Sequence, residues 1–121
     1  MRLNEAYRAI QDPLSRARYL LSLRGIDVED DSAKIEEGEL LMEVMEVREA
    51  VDEAESEEEL EPIRQENNAR IARSVAILEQ AFAGEDMGSA AEEAVRLRYW
   101  ANIEESIQGW EKGVGGGLVH H

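Results

Sequence analysis

Leu40, Val44, Val47 and Val51 recur at spacings of four, three and four residues. At 100° per residue they fall within about 60° of one another, a narrow apolar stripe on one helix. Such a helix must bury that face against something else. Leu97, Trp100, Ile103, Ile107 and Trp110 repeat the pattern later in the chain. Two amphipathic helices with matching faces therefore set the fold class, and the expectation is an all-α protein.

Punctuation divides the chain further. Leu3, Ala6, Tyr7 and Ile10 have helical spacing, cut short at Asp12-Pro13. Asp12 can cap a following helix and Pro13 suits its first turn. That helix, Leu14 to Leu23, should stop at Gly25. Ile26 to Gly38 is acidic and aperiodic and reads as an exposed loop. A strong helix runs from Glu39 to about Glu55. Ser56 with Glu59 forms a capping-box pattern for the next helix. Pro62 either kinks that helix or moves its start to near Glu61. It continues through Ile71, Val75, Leu78 and Phe82 and ends at Gly84. Ser89 with Glu92 offers a second capping box before the last helix, which runs to about Trp110. The architecture expected is an antiparallel three-helix bundle over 39–112 preceded by a helical pair, with short connections. Residues 113–121 are expected to be a flexible tail.

Charge restricts the partners. The 121 residues carry a net −15, placed unevenly. Residues 1–24 hold five basic and two acidic residues, residues 25–66 three and eighteen, and residues 67–121 five and eight. Nucleic acids and anionic membranes are bound through Lys and Arg, so neither is an expected partner. A protein with a basic face suits this chain better.

Candidate chemistry is sparse. The chain has no cysteine, which excludes disulfides and thiolate-held zinc or iron–sulfur clusters. A di-iron bundle needs Glu-x-x-His pairs on facing helices, and the two histidines, His120 and His121, close the chain. They read as a frayed terminus or a tag remnant. Asp27 to Gly38 superficially resembles a calcium loop, but lacks the turn glycine and has Gly38 where the bidentate glutamate belongs. Glu57-Glu58-Glu59 and Glu92-Glu93 read as solvated first-turn acids suited to a helix dipole. No enzyme activity, catalytic residue, metal site or cofactor is expected.

Two features do not fit a simple core. Leu41, Met42 and Met45 lie roughly 100° to 200° from the Leu40 stripe, among Arg48, Glu49 and Asp52. An apolar patch within a charged face marks either a partner surface or a second bundle contact. Tyr99 sits about 80° from the centre of its own helix stripe, at the boundary where tyrosine serves either core or interface.

Motifs add a resemblance. Leu3-Asn4-Glu5-Ala6-Tyr7-Arg8, then Asp12-Pro13, Arg16 and Tyr19, looks like the closing portion of a J-domain. Tyr19-Leu20-Leu21-Ser22-Leu23-Arg24-Gly25, then Leu41-Met42-Glu43 and Glu46-Val47-Arg48-Glu49, is similar to the HscB-type J-protein co-chaperones. Leu97-Arg98-Tyr99-Trp100 followed by Trp110 resembles the fungal mitochondrial branch of that family. The resemblance implies that residues 1–25 are the last helices of a J-domain, 26–38 an acidic linker and 39–112 a scaffold-binding bundle. It implies an adaptor that binds the iron–sulfur cluster scaffold protein and delivers it to a DnaK-class heat-shock chaperone, in the mitochondrial matrix and as a monomer. Carried over residue by residue, the hydrophobic scaffold contacts fall on Leu41, Met45 and Tyr99 with Leu40 beside them, and the acidic contacts on Glu46 and Glu49. Glu43 stands where some members have a basic contact. The family stimulates its ATPase through a His-Pro-Asp loop that this sequence does not contain. The chain is thus expected to be a fragment that does not stimulate the ATPase itself. The competing expectation is a structural helical module that self-associates through the Leu41/Met45 face.

Overall fold

The computed structural model describes residues 12–28 and 38–112. All regular structure among these residues is helical: α1 (Pro13–Ser22), α2 (Gly38–Glu53), α3 (Glu57–Ala83) and α4 (Met87–Lys112). The all-α expectation is met. The Leu3–Ile10 helix, most of the acidic stretch, the glycine tail and the terminal histidines lie outside the described residues.

Local chemistry accounts for the boundaries. Asp12 caps α1, its carboxylate accepting from Leu14 N–H at 3.4 Å and from the Ser15 hydroxyl at 2.8 Å. The helix unwinds through a left-handed Gly25 at φ 77°. There Ile26 N–H donates to the Leu21 carbonyl and Gly25 N–H to that of Ser22, the paired bonds of a Schellman close. Beyond it Ile26 is half-buried and Val28 buried, so the stretch expected to be an exposed loop begins by packing inward.

The α2–α3 connection carries the expected cap in altered form. Glu59 N–H donates to Ser56 Oγ at 3.1 Å, but the Glu59 carboxylate accepts from Glu55 N–H at 2.9 Å. The return bond therefore falls one residue before the capping serine. Pro62 does not delay the helix, which starts at Glu57. Pro62 is exposed, so the Glu58 carbonyl left without its bond faces solvent.

At the α3–α4 connection one expectation is met, since α3 ends at Gly84, and one is corrected. The left-handed residue that follows is Glu85, at φ 57°. Asp86 N–H donates to the Ala81 carbonyl at 2.8 Å and Glu85 N–H to that of Phe82 at 3.1 Å. The cap of α4 is then Asp86 rather than Ser89. Its carboxylate accepts from Ser89 N–H at 3.1 Å and from the Ser89 hydroxyl at 2.7 Å. These bonds hold the Asp86 carboxyl below the usual carboxylate range, the backbone bond contributing most. Ser89 is spent satisfying its neighbour, so it starts no helix of its own.

The chain forms two compact units, and α3 and α4 each contribute to both. One unit holds residues 12–28 and 72–98. Its buried α4 positions include the small Ala90, Ala91 and Ala94 as well as Val95 and Leu97. Glu93 is a correction: α4 starts at Met87, so Glu93 lies beyond the first turn, and it is buried rather than solvated. The Ser74 hydroxyl, also buried, donates to it at 2.6 Å, and Arg96 lies 3.4 Å from the same carboxylate.

The other unit holds residues 38–71 and 99–112. Leu40, Val44, Val47 and Val51 from α2 share its core with Ala54, Leu60, Trp100, Ile103 and Ile107. Burying each large aliphatic contributes about 1.5–3 kcal/mol. Two polar side chains cross this core. Asn67 Nδ2, fully buried, donates to the Trp100 carbonyl at 2.9 Å. Arg70 reaches Glu43 and lies over the Trp100 ring, 5.2 Å from its centroid.

Candidate partner-binding surface

The inward stripe of α2 fixes what the helix shows outside. Because Leu40, Val44, Val47 and Val51 face the core, residues turned by one or two positions must face away. Leu41 is 38% exposed, Met42 63% and Met45 67%. Three large apolar side chains on one helix are thus left uncovered. Met42 and Met45 line a shallow concavity of about 480 Å³ with Glu46, Arg48, Glu49 and Asp52. The arrangement is an apolar centre rimmed by three carboxylates and one guanidinium. Nothing in it is built for bond-breaking chemistry; it can cover an apolar, basic-rimmed surface. Among the described residues no cluster of His, Cys, Asp or Glu could hold a metal ion, and no helix is long and apolar enough to cross a membrane.

The structure sorts the residues expected at this site. Met45, Glu46 and Glu49 are brought together on the concavity, with Leu41 exposed on the same helix. Leu40, expected beside the contacts, takes the core position that its stripe implied. It is 5% exposed and belongs to the core, because one residue along a helix turns a side chain by about 100°. Tyr99 is half-buried and packs against the core cluster, outside the concavity lining. The Glu43 carboxylate is engaged by Arg70 at 3.0 Å. Met42, Arg48 and Asp52 were not singled out as contacts, although the helical wheel already set Met42 opposite the stripe.

Comparison with known proteins assigns the chain to a family. A family model described as the HSCB C-terminal oligomerisation domain matches residues 36–108, more than half of the chain. The chain belongs to the HscB co-chaperone family.

Its relatives in that family come from mitochondria and bacteria alike. The mouse iron-sulfur cluster co-chaperone protein HscB is 34% identical over 106 residues, covering 88% of this chain and 45% of the relative. The mitochondrial J-type co-chaperone JAC1 of Saccharomyces cerevisiae is 29% identical over 116 residues, covering 92% of this chain and 63% of the relative. The HscB homolog of Paraburkholderia phymatum reaches 41% over 104 residues, covering 78% and 55%. The chain therefore spans about half the length of the curated relatives it matches. In three dimensions it is similar to the solved Jac1 co-chaperone of Saccharomyces cerevisiae, with a TM-score of 0.83 at 30% identity, over 89% of this chain and 71% of that one.

Proposed function

We propose that the chain is the partner-holding part of an iron–sulfur co-chaperone, binding the cluster assembly scaffold through the outer face of α2. The observation that carries this reading is the exposure of Leu41, Met42 and Met45 within an acidic rim. Leu41, Met45 and, at the edge of the core, Tyr99 would be the apolar anchors. Glu46 and Glu49 would meet basic groups on the scaffold. The chain performs no chemistry; it positions the scaffold so that a DnaK-class chaperone can capture it, with ATP hydrolysis triggered by a J-domain. Micromolar binding, about −8 kcal/mol, asks for only a handful of hot spots of about 2 kcal/mol each. The yeast relative is mitochondrial, and the matrix is the compartment proposed with it; a monomer is the expected free state.

The test is a pair of measurements on Leu41→Ala/Met45→Ala. Binding to the scaffold should fall by about tenfold or more. The melting midpoint should stay within a few degrees, because exposed positions change stability by under about 0.5 kcal/mol each. Val47→Ala and Ile103→Ala provide the contrast, costing about 1–4 kcal/mol through lost burial and cavity formation. A collapsed melt of the double variant, or undiminished binding with an intact fold, would refute the assignment.

A second reading draws on the oligomerisation named in the family model's description. The same apolar face would then pair with a second copy. Mass in solution separates the two: self-association predicts a mass that rises with concentration and reverts in Leu41→Ala/Met45→Ala.

A further inference from the structure

The apolar surface of α2 is made largely of methionine, the one apolar side chain that mild oxidants can turn polar. We propose that Met42 and Met45 form a peroxide-responsive modification site whose sulfoxides switch off partner binding, an inference that rests on the scaffold-binding reading above. The reaction is complete with one oxidant. The thioether sulfur attacks an oxygen of hydrogen peroxide, the O–O bond breaks, an S–O bond forms, and water leaves after proton transfer. Sulfur loses two electrons and the peroxide gains them.

Three observations single out this pair. Both residues are about two-thirds exposed, whereas Met87 is half-buried, so oxidant reaches the α2 pair first. The chain contains no cysteine, so no thiolate of its own competes for the oxidant. The two residues stand three apart on one helix and line the same concavity, so each new sulfoxide places a polar oxygen in the apolar centre of the surface. Position also makes the change a switch rather than damage. A core methionine that became a sulfoxide would leave a buried dipole unpaired and unfold its surroundings. Met42 and Met45 lie outside the core cluster, so their sulfoxides remain solvated and the fold persists. Methionine sulfoxide reductases can reverse the modification, one for each sulfoxide epimer.

The experiment treats the full chain with limiting hydrogen peroxide and follows three readouts. Peptide mass mapping should show one-oxygen increments at Met42 and Met45 well before Met87. The melting midpoint should move by no more than a few degrees. Affinity for the scaffold should fall about tenfold or more and return after treatment with both reductases. Met87→Leu should leave this response unchanged. Oxidation of Met87 as fast as the α2 pair, undiminished binding by the oxidised chain, or a loss that the reductases do not restore would each overturn the proposal. A chain that fails to bind scaffold before any oxidation would overturn the reading beneath it, and the two failures are told apart by that untreated control.

Discussion

Arg70 Nε donates to a carboxylate oxygen of Glu43 at 3.0 Å, a bond from α3 to the turn of α2 beside the exposed methionines. The same guanidinium lies 5.2 Å from the Trp100 ring centroid on α4 and 4.0 Å from Glu66. One side chain therefore touches all three helices of its unit. Glu43 is about half exposed, so the ion pair contributes under about 1 kcal/mol. The ring contact adds about 0.5–1 kcal/mol. Arg70→Ala should therefore cost about 1–2 kcal/mol, read from denaturant midpoints. Arg70→Lys should recover less than half of that, since an ammonium cannot both lie flat on the indole and donate sideways. A double-mutant cycle with Glu43→Gln should assign the smaller share to the ion pair.

The left-handed Glu85 predicts a stabilising substitution. A residue with a Cβ at φ 57° is strained, and glycine relieves the strain at some entropic cost. Glu85→Gly should raise stability by about 0.5–1 kcal/mol with no change in partner affinity. An unchanged or lower midpoint in thermal unfolding would contradict the assignment of Glu85 as the terminating residue.

The Asp86 cap predicts a pH signature. Its folded-state pKa is lowered from the ordinary 3.8 by the bonds from Ser89. A depressed carboxylate contributes stability that is present above its unfolded pKa and is lost as pH falls through the lower, folded value. Asp86→Asn keeps an acceptor oxygen but cannot titrate. The parent should thus be the more stable protein at neutral pH, and the gap should close in the acid range. Parallel melts from pH 7 downward check this, and a gap independent of pH would show that charge at the cap is irrelevant.

Scaffold binding should weaken with salt. Residues 25–66 hold three basic and eighteen acidic residues, and charges at an interface rim act mainly on the encounter rate. Association rates measured from low to high ionic strength should fall, and Glu46→Gln/Glu49→Gln should flatten the slope. A rate constant that ignores salt would remove the electrostatic role assigned to these two residues.

Interactions close in sequence were the legible ones. The Leu40–Val51 stripe, the Asp12-Pro13 start of α1 and the inward face of Leu97, Trp100, Ile103 and Ile107 all follow from helical period and capping chemistry. The exposed face of α2 was legible for the same reason, as the complement of its stripe. What escaped was either a choice between neighbours or a bond between distant residues. Asp86 and Ser89 are both good caps three residues apart, and only the turn before them decides which one serves. Glu43 and Arg70, Asn67 and Trp100, and Ser74 and Glu93 are separated by 27, 33 and 19 residues, beyond the reach of any local pattern. Leu40 shows the limit of residue-by-residue transfer: the neighbour of an exposed residue can be core.

Asn67 has a consequence for how this protein can change. Its amide nitrogen is bonded to the Trp100 carbonyl, while its Oδ1 is buried with no hydrogen-bond partner. A well-packed aliphatic at that position would avoid the stranded oxygen, so laboratory selection for heat resistance alone should discard Asn67 early. The surviving variants would then hold α3 against α4 through aliphatic and aromatic contacts, which tolerate a slip along the helix axis far better than a directed bond does. Thermostable descendants would be tougher proteins with a blurred alignment, and the loss would register as broadened spectra before any fall in melting temperature.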